Sequence, residues 1–159
     1  MAVVLSDEVR HSVAGELPWD TLTFLQECGV PESVMLSGFQ HAFTLDMEPL
    51  LDGGAFRIGT VDFRWCSQSI AVQRITGHFG YVCHEPAVPP WDFCNSSVAN
   101  FVTCCAIYER LREMEEQDQI AYEARAEWLE ERIREIDPVV FTHDGLWMEL
   151  IADIRFGVV

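Results

Sequence analysis

Six cysteines and five histidines are the first residues to weigh for chemistry. Cys83-His84 and Cys104-Cys105 bring metal-ligand types side by side. Zinc sites use spaced Cys and His pairs, and neither of these neighbour pairs has that spacing. Adjacent cysteines on a helix also point to different faces. The six thiols at 28, 66, 83, 94, 104 and 105 therefore read as reduced core groups, with no metal and no cofactor expected. A histidine base at 11, 41, 78, 84 or 143 would need an activated Ser or Cys beside it. No Gly-x-Ser-x-Gly elbow occurs. His84-Glu85 offers an acid and a base, but neighbours on a strand face opposite sides. Gly53-Gly54 lacks the following Lys-Ser/Thr of a phosphate loop and reads as a turn. No catalytic residue is assigned, and the chain is expected not to be an enzyme.

What remains is recognition chemistry. Pro89-Pro90 restricts the backbone ahead of Trp91-Asp92-Phe93 and holds these residues extended. Tryptophan is enriched at interface hot spots, but Trp91 and Phe93 could equally cover the end of a following helix. Residues 109–137 carry eleven acidic side chains, from Glu109 to Asp137. Such a run serves as a solvated helix face, with Glu130 and Arg134 as an i,i+4 pair. It would also attract a basic partner.

Charge narrows the partners further. The formal net charge is −16, and all ten basic residues are arginine. Binding to nucleic acid depends on neutralising phosphates, so direct nucleic-acid binding is not expected. No run approaches eighteen uninterrupted apolar residues, so no membrane span is expected. Asp7 and Glu8 interrupt the apolar start, and no basic segment precedes it, so no signal peptide is expected either. The Asn95-Ser96-Ser97 sequon is then without meaning for glycosylation.

The elements that must position these residues follow from pattern. A length of 159 residues suits a single domain with its own core, and 49% hydrophobic content argues against disorder. Residues 16–28 read as a helix: Pro18 suits its first turn, Leu22, Leu25 and Cys28 lie about a turn apart, and Gly29 with Pro31 ends it. Residues 35–94 are strand-rich. Phe56–Thr60 and the half-buried pattern of Ile70–Ile75 lead through a Thr76-Gly77-His78 turn to Phe79–Cys83. Asn95 or Ser96 can cap a helix whose inner stripe is Val98, Phe101, Cys105, Tyr108 and Leu111. A second helix follows with Tyr122, Ala126, Leu129, Ile133 and Ile136, and Asp137-Pro138 ends it. Trp147 to Ile154 forms a last short helix, with Gly157 after it. The fold class is α+β, a mainly antiparallel central sheet flanked by N-terminal and C-terminal helices.

Several short motifs occur here in a particular order. Leu17-Pro18 and Phe24-Leu25 precede Gly29-Val30-Pro31; Ile58-Gly59 ends a strand; a hairpin follows; then Asn95-Ser96-Ser97 opens a helix through Tyr108-Glu109-Arg110-Leu111-Arg112. In this order the chain resembles the SUKH superfamily of bacterial immunity proteins, most of all its fourth subfamily, over residues 16–154. Trp147 matches a terminal Trp-containing segment. Val30 departs from the usual Leu, and the cysteine-rich stretch from Cys94 to Cys105 departs as well. The resemblance implies a cytoplasmic protein that binds a cognate toxin, often a nuclease or nucleic-acid deaminase, and blocks its cleft without catalysis; the net acidity fits a toxin whose cleft is basic. The residues expected to touch that partner are the anchors Trp65 and Trp91, with Glu85 and Asp92 supplying charge. A protein-interaction adaptor without a toxin, or a small hydrolase, are the alternatives.

Overall fold

Residues 2–62, 67–86, 89–117 and 121–158 are described by the structure, a computed structural model. A two-residue strand β1 (Ala2–Val3) precedes helices α1 (Asp7–Val13) and α2 (Trp19–Glu27). Strand β2 (Val30–Pro31) returns to pair with β1. The main sheet is β3 (Ser33–Leu36), β4 (Phe39–Phe43), β5 (Pro49–Leu50), β6 (Ala55–Asp62), β7 (Ser67–Gln73), β8 (Phe79–Cys83) and β9 (Trp91–Asn95). Its spatial order is β3-β4-β6-β7-β8-β9, every pair antiparallel, with β5 also on β6. Helices α3 (Val98–Gln117), α4 (Tyr122–Ile136) and α5 (Leu146–Arg155) complete the α+β chain.

The sheet and the helices share one core. Leu22 and Leu25 from α2, Phe101 and Leu111 from α3 and Trp147 from α5 meet Phe43, Ile58, Ile70 and Phe79 of the sheet. At its centre the Phe79 and Phe101 rings stack 3.9 Å apart. The inner stripe of α3 is buried along its length, because its apolar residues recur every three to four positions. In α4 the buried apolar residues are Ala126, Leu129 and Ile133, and Arg125 is buried as well. Tyr122 and Ile136, expected on the same stripe, are exposed at the two ends of the helix.

Several local expectations are corrected. Pro18 is the residue before α2 and not part of its first turn. Gly29 does end α2, at φ +71, where a side chain would strike the Val3 carbonyl. Strand β7 is not half-buried: Ile70, Ala71 and Val72 are all fully buried, since the strand is central and both of its faces are covered. It ends at Gln73, and Ile75 is 89% exposed in the turn that follows. Neither Asn95 nor Ser96 caps α3. Ser97 Oγ accepts from the Asn100 N–H at 3.1 Å. Cys28 is exposed, unlike Cys83, Cys94, Cys104 and Cys105, while Cys66 lies outside the described residues.

Asn95 is buried for a different reason. Opposite Phe79 and Gly80, strand β9 spends three residues from Phe93 to Asn95. This bulge turns both Cys94 and Asn95 into the core. The Asn95 amide then uses all of its hydrogen-bonding capacity. Its Nδ2 donates to Asp137 Oδ2 at 3.0 Å and to Cys104 Sγ at 3.8 Å. Its Oδ1 accepts from Trp147 Nε1 at 2.8 Å and from Cys94 Sγ at 3.3 Å. The Ser96 N–H donates to the same Asp137 oxygen at 2.7 Å. One buried amide therefore ties the start of α3 to the end of α4 and the start of α5.

Candidate functional site

Strand β9 is the last strand of the sheet, so its first residues reach the surface. Alternation places Trp91 and Phe93 on one side and Asp92 on the other. Trp91 is half-buried with Leu50, Ala55, Ala71 and Val82, a small apolar cluster separate from the main core. Its ring lies over Gly80, where an added Cβ would come within 2.7 Å of it and would also overlap the Asp92 carbonyl. The absence of a side chain at 80 is what lets the indole lie flat on the sheet.

Asp92 is exposed at the strand edge. Partial burial and the nearby Glu149 raise its carboxyl above the ordinary range, with His143 opposing. Beside it, Phe93 makes an edge contact with His78 at 5.4 Å and a tilted contact with His143 at 4.4 Å. These residues, with Trp91 and Asp144, line a groove of about 360 Å3. Of the four residues expected to meet a partner, Trp91 and Asp92 thus share a groove while facing opposite sides of the strand. Glu85 is exposed in the connection from β8 to β9. Trp65 lies outside the described residues. Phe93 was visible in the sequence as a companion of Trp91. His143 and Asp144 arrive from some fifty positions later, and no local pattern announces them.

A larger depression, about 900 Å3, opens between the loops at 15–18, 51–54 and 73–76. Ile75 stands on its rim, and Arg74 bridges to Glu16 at 3.2 Å. Leu51 and Asp52 hold left-handed backbone there, at φ 53 and 54. Such conformations are strained for a residue like leucine.

The groups capable of reaction chemistry are arranged otherwise. Burial pushes the Cys104 thiol up to about 12, against an opposing hydrogen bond from Asn95. Burial likewise raises Cys94 and Cys105. These three thiols stay protonated at neutral pH and make poor nucleophiles or ligands. Among the described residues, no group of three or more His, Cys, Asp or Glu is placed to hold a metal ion. One Ser–His contact exists that sequence reading missed: Ser69 Oγ lies 2.9 Å from His84 Nε2. The two are fifteen positions apart and meet because Ser69 pairs with Val82, two residues before His84. Ser69 is buried in the middle of a central strand, and no described carboxylate hydrogen-bonds the other ring nitrogen of His84. A nucleophile in a catalytic triad needs both access and that third group.

Among the described residues, no helix is long and apolar enough to cross a membrane. No curated protein and no solved structure matches the chain. The family model for the SUKH-4 immunity protein matches residues 10–153, which takes in the second half of α1, all of α2, the main sheet and the Asn95–Asp137–Trp147 hub. The chain therefore belongs to the SUKH-4 immunity protein family.

Proposed function

We propose that this chain binds and inactivates a cognate bacterial toxin, a nuclease or nucleic-acid deaminase, by covering its basic cleft in the bacterial cytoplasm. The observation that carries this reading is the family match over residues 10–153. The net charge of −16 supports it, because an acidic surface speeds encounter with a basic one. Blocking a cleft requires no catalysis, in keeping with an immunity family. The deciding experiment is co-expression with the toxin encoded beside this chain's gene, scored by survival. Death of cells that carry both proteins, with this chain folded and abundant, would overturn the reading.

The interface proposed is the surface around Trp91, with Asp92 and Glu85 supplying charge and Trp65 as a second anchor. Trp91→Ala is expected mainly to raise the dissociation rate, at a cost of about 2 kcal/mol in toxin affinity. Asp92→Asn should chiefly slow association, more at low salt than at high salt. Unfolding curves must accompany each variant, since Trp91 also packs on the sheet. Folded variants at all four positions that bind with parental kinetics would place the interface elsewhere.

The Ser69–His84 contact gives a second reading, a hydrolase, its own test. Ser69→Ala is expected to leave toxin neutralisation unchanged in the survival assay. Loss of protection by a variant that folds and still binds the toxin would favour chemistry at Ser69.

A further inference from the structure

We infer that the groove beside β9 receives an arginine side chain from the protein partner. The inference rests on the preceding reading in that the partner is a basic protein, and it names what that partner presents. The groove combines two kinds of wall. Trp91, Phe93, His78 and His143 supply ring faces and edges, Asp144 supplies a carboxylate, and Asp92, which turns to the other side of the strand, adds negative charge from the adjoining depression. A guanidinium is the common side chain that uses both, since it stacks flat on aromatic rings and forks onto carboxylates. A lysine ammonium takes the charge but gains less from the rings.

Among the described residues, several of the chain's own cations are engaged elsewhere. Arg57 pairs with Asp46 and Glu48, Arg155 with Glu123 and Glu130, and Arg134 with Glu130 while lying over Phe141. Among the described residues, no ion pair joins an arginine to Asp92 or Asp144. Glu149 adds a third carboxylate in the adjoining depression, which Asp92 and Asp144 also line. His143 is the nearby group that offsets this charge. Partial burial, and after it repulsion from Glu149, already disfavour a charged Asp92. An incoming guanidinium would relieve that repulsion. A phosphate-bearing ligand would meet the same carboxylates as a barrier. The volume of about 360 Å3 is at the small end for a binding pocket, in keeping with one side chain and not a whole cofactor.

The test uses the full chain and three small probes: N-acetyl-arginine methylamide, its lysine counterpart and its neutral citrulline isostere. Each is titrated while the Trp91 indole and the Phe93 and Gly145 amides are followed by NMR. The arginine probe should shift these three signals, the lysine probe should bind about fivefold more weakly, and citrulline should leave them unmoved. Asp144→Asn, an exposed change that leaves the fold alone, should weaken the arginine response about fivefold. The inference is overturned by an equal response to citrulline or lysine, by shifts confined to another face, or by silence near the solubility limit of the probe. The cognate toxin separates this from the broader reading. Neutralisation that survives Asp144→Asn and His143→Ala at parental affinity, with a silent arginine probe, sinks the groove and spares the immunity role. Arginine binding without neutralisation does the reverse.

Discussion

Trp147→Ala is expected to destabilise the domain by about 3–5 kcal/mol, a large share of ordinary stability. Two losses combine. The indole is fully buried, 6.2 Å from the Phe101 ring, and its removal leaves a cavity in the main core. It also donates the hydrogen bond that holds Asn95 Oδ1. Without it that oxygen keeps only a weak thiol donor. Trp147→Phe separates the terms: it retains a ring and loses the donor, and should cost about 1–3 kcal/mol. Urea unfolding midpoints of both variants measure the difference. A midpoint unchanged in Trp147→Phe would mean that the Asn95 hub holds without its indole donor.

The second large effect is acid destabilisation through His41. This histidine is fully buried on β4, where burial lowers its pKa to about 4 despite the opposing hydrogen bond to the Phe39 carbonyl. The carbonyl accepts from Nδ1–H at 3.2 Å, so Nε2 is left to accept from the Tyr81 hydroxyl at 3.0 Å. A second proton on Nε2 would force that hydroxyl to reverse from donor to acceptor and would leave a charge buried in the core. The unfolded chain takes up this proton near 6.5, the folded chain only near 4. Between these values the unfolded state binds more protons, so stability is complete above about pH 6.5 and falls as pH falls toward 4. The loss by pH 4 amounts to about 3 kcal/mol. Asp92 works in the opposite sense: its raised pKa makes the folded state the better proton binder, which returns a little stability on acidification. Unfolding free energies of the parent and of His41→Gln, measured from pH 7 to 4, test the assignment. The gap between the two should close as pH falls. Parallel curves would place the acid sensitivity elsewhere.

Local pattern carried much of the architecture. The helix stop at Gly29, the turn at Gly77, the stripe from Val98 to Leu111 and the break at Asp137-Pro138 are each written in a few consecutive residues. Burial of β7 on both faces was less legible. Alternation in Ile70–Ile75 describes one strand, whereas burial depends on which strands flank it and what lies over Ala71. The motif Asn95-Ser96-Ser97 was misread for a similar reason. Its capping residue is the third member, and the first is drawn inward by a bulge set in the register with β8. Within the candidate site, the Pro-restricted Trp91 segment was visible, but its companions were not. Gly80 and His78 are brought beside Trp91 by pairing of β8 with β9, whereas His143 and Asp144 arrive on the segment before α5, which no strand pattern announces.

The Asn95 hub also bears on when the chain can fold during synthesis. Strand β9 closes the sheet, yet the strong hydrogen bonds to its bulge come from Asp137 and Trp147, 42 and 52 positions later. Until those residues leave the ribosome, the inward amide of Asn95 has only the weak thiol contacts of Cys94 and Cys104, the Ser96 N–H lacks its carboxylate, and the Phe79–Phe101 stack has no indole beside it. The sheet emerges first and must wait for its last helix. Such late long-range closure makes folding slow and leaves apolar strands uncovered meanwhile. A chain stalled or cut before Trp147 would be a substrate for chaperones and proteases, so truncation of a few helical turns at the C-terminal end should abolish accumulation of the whole domain.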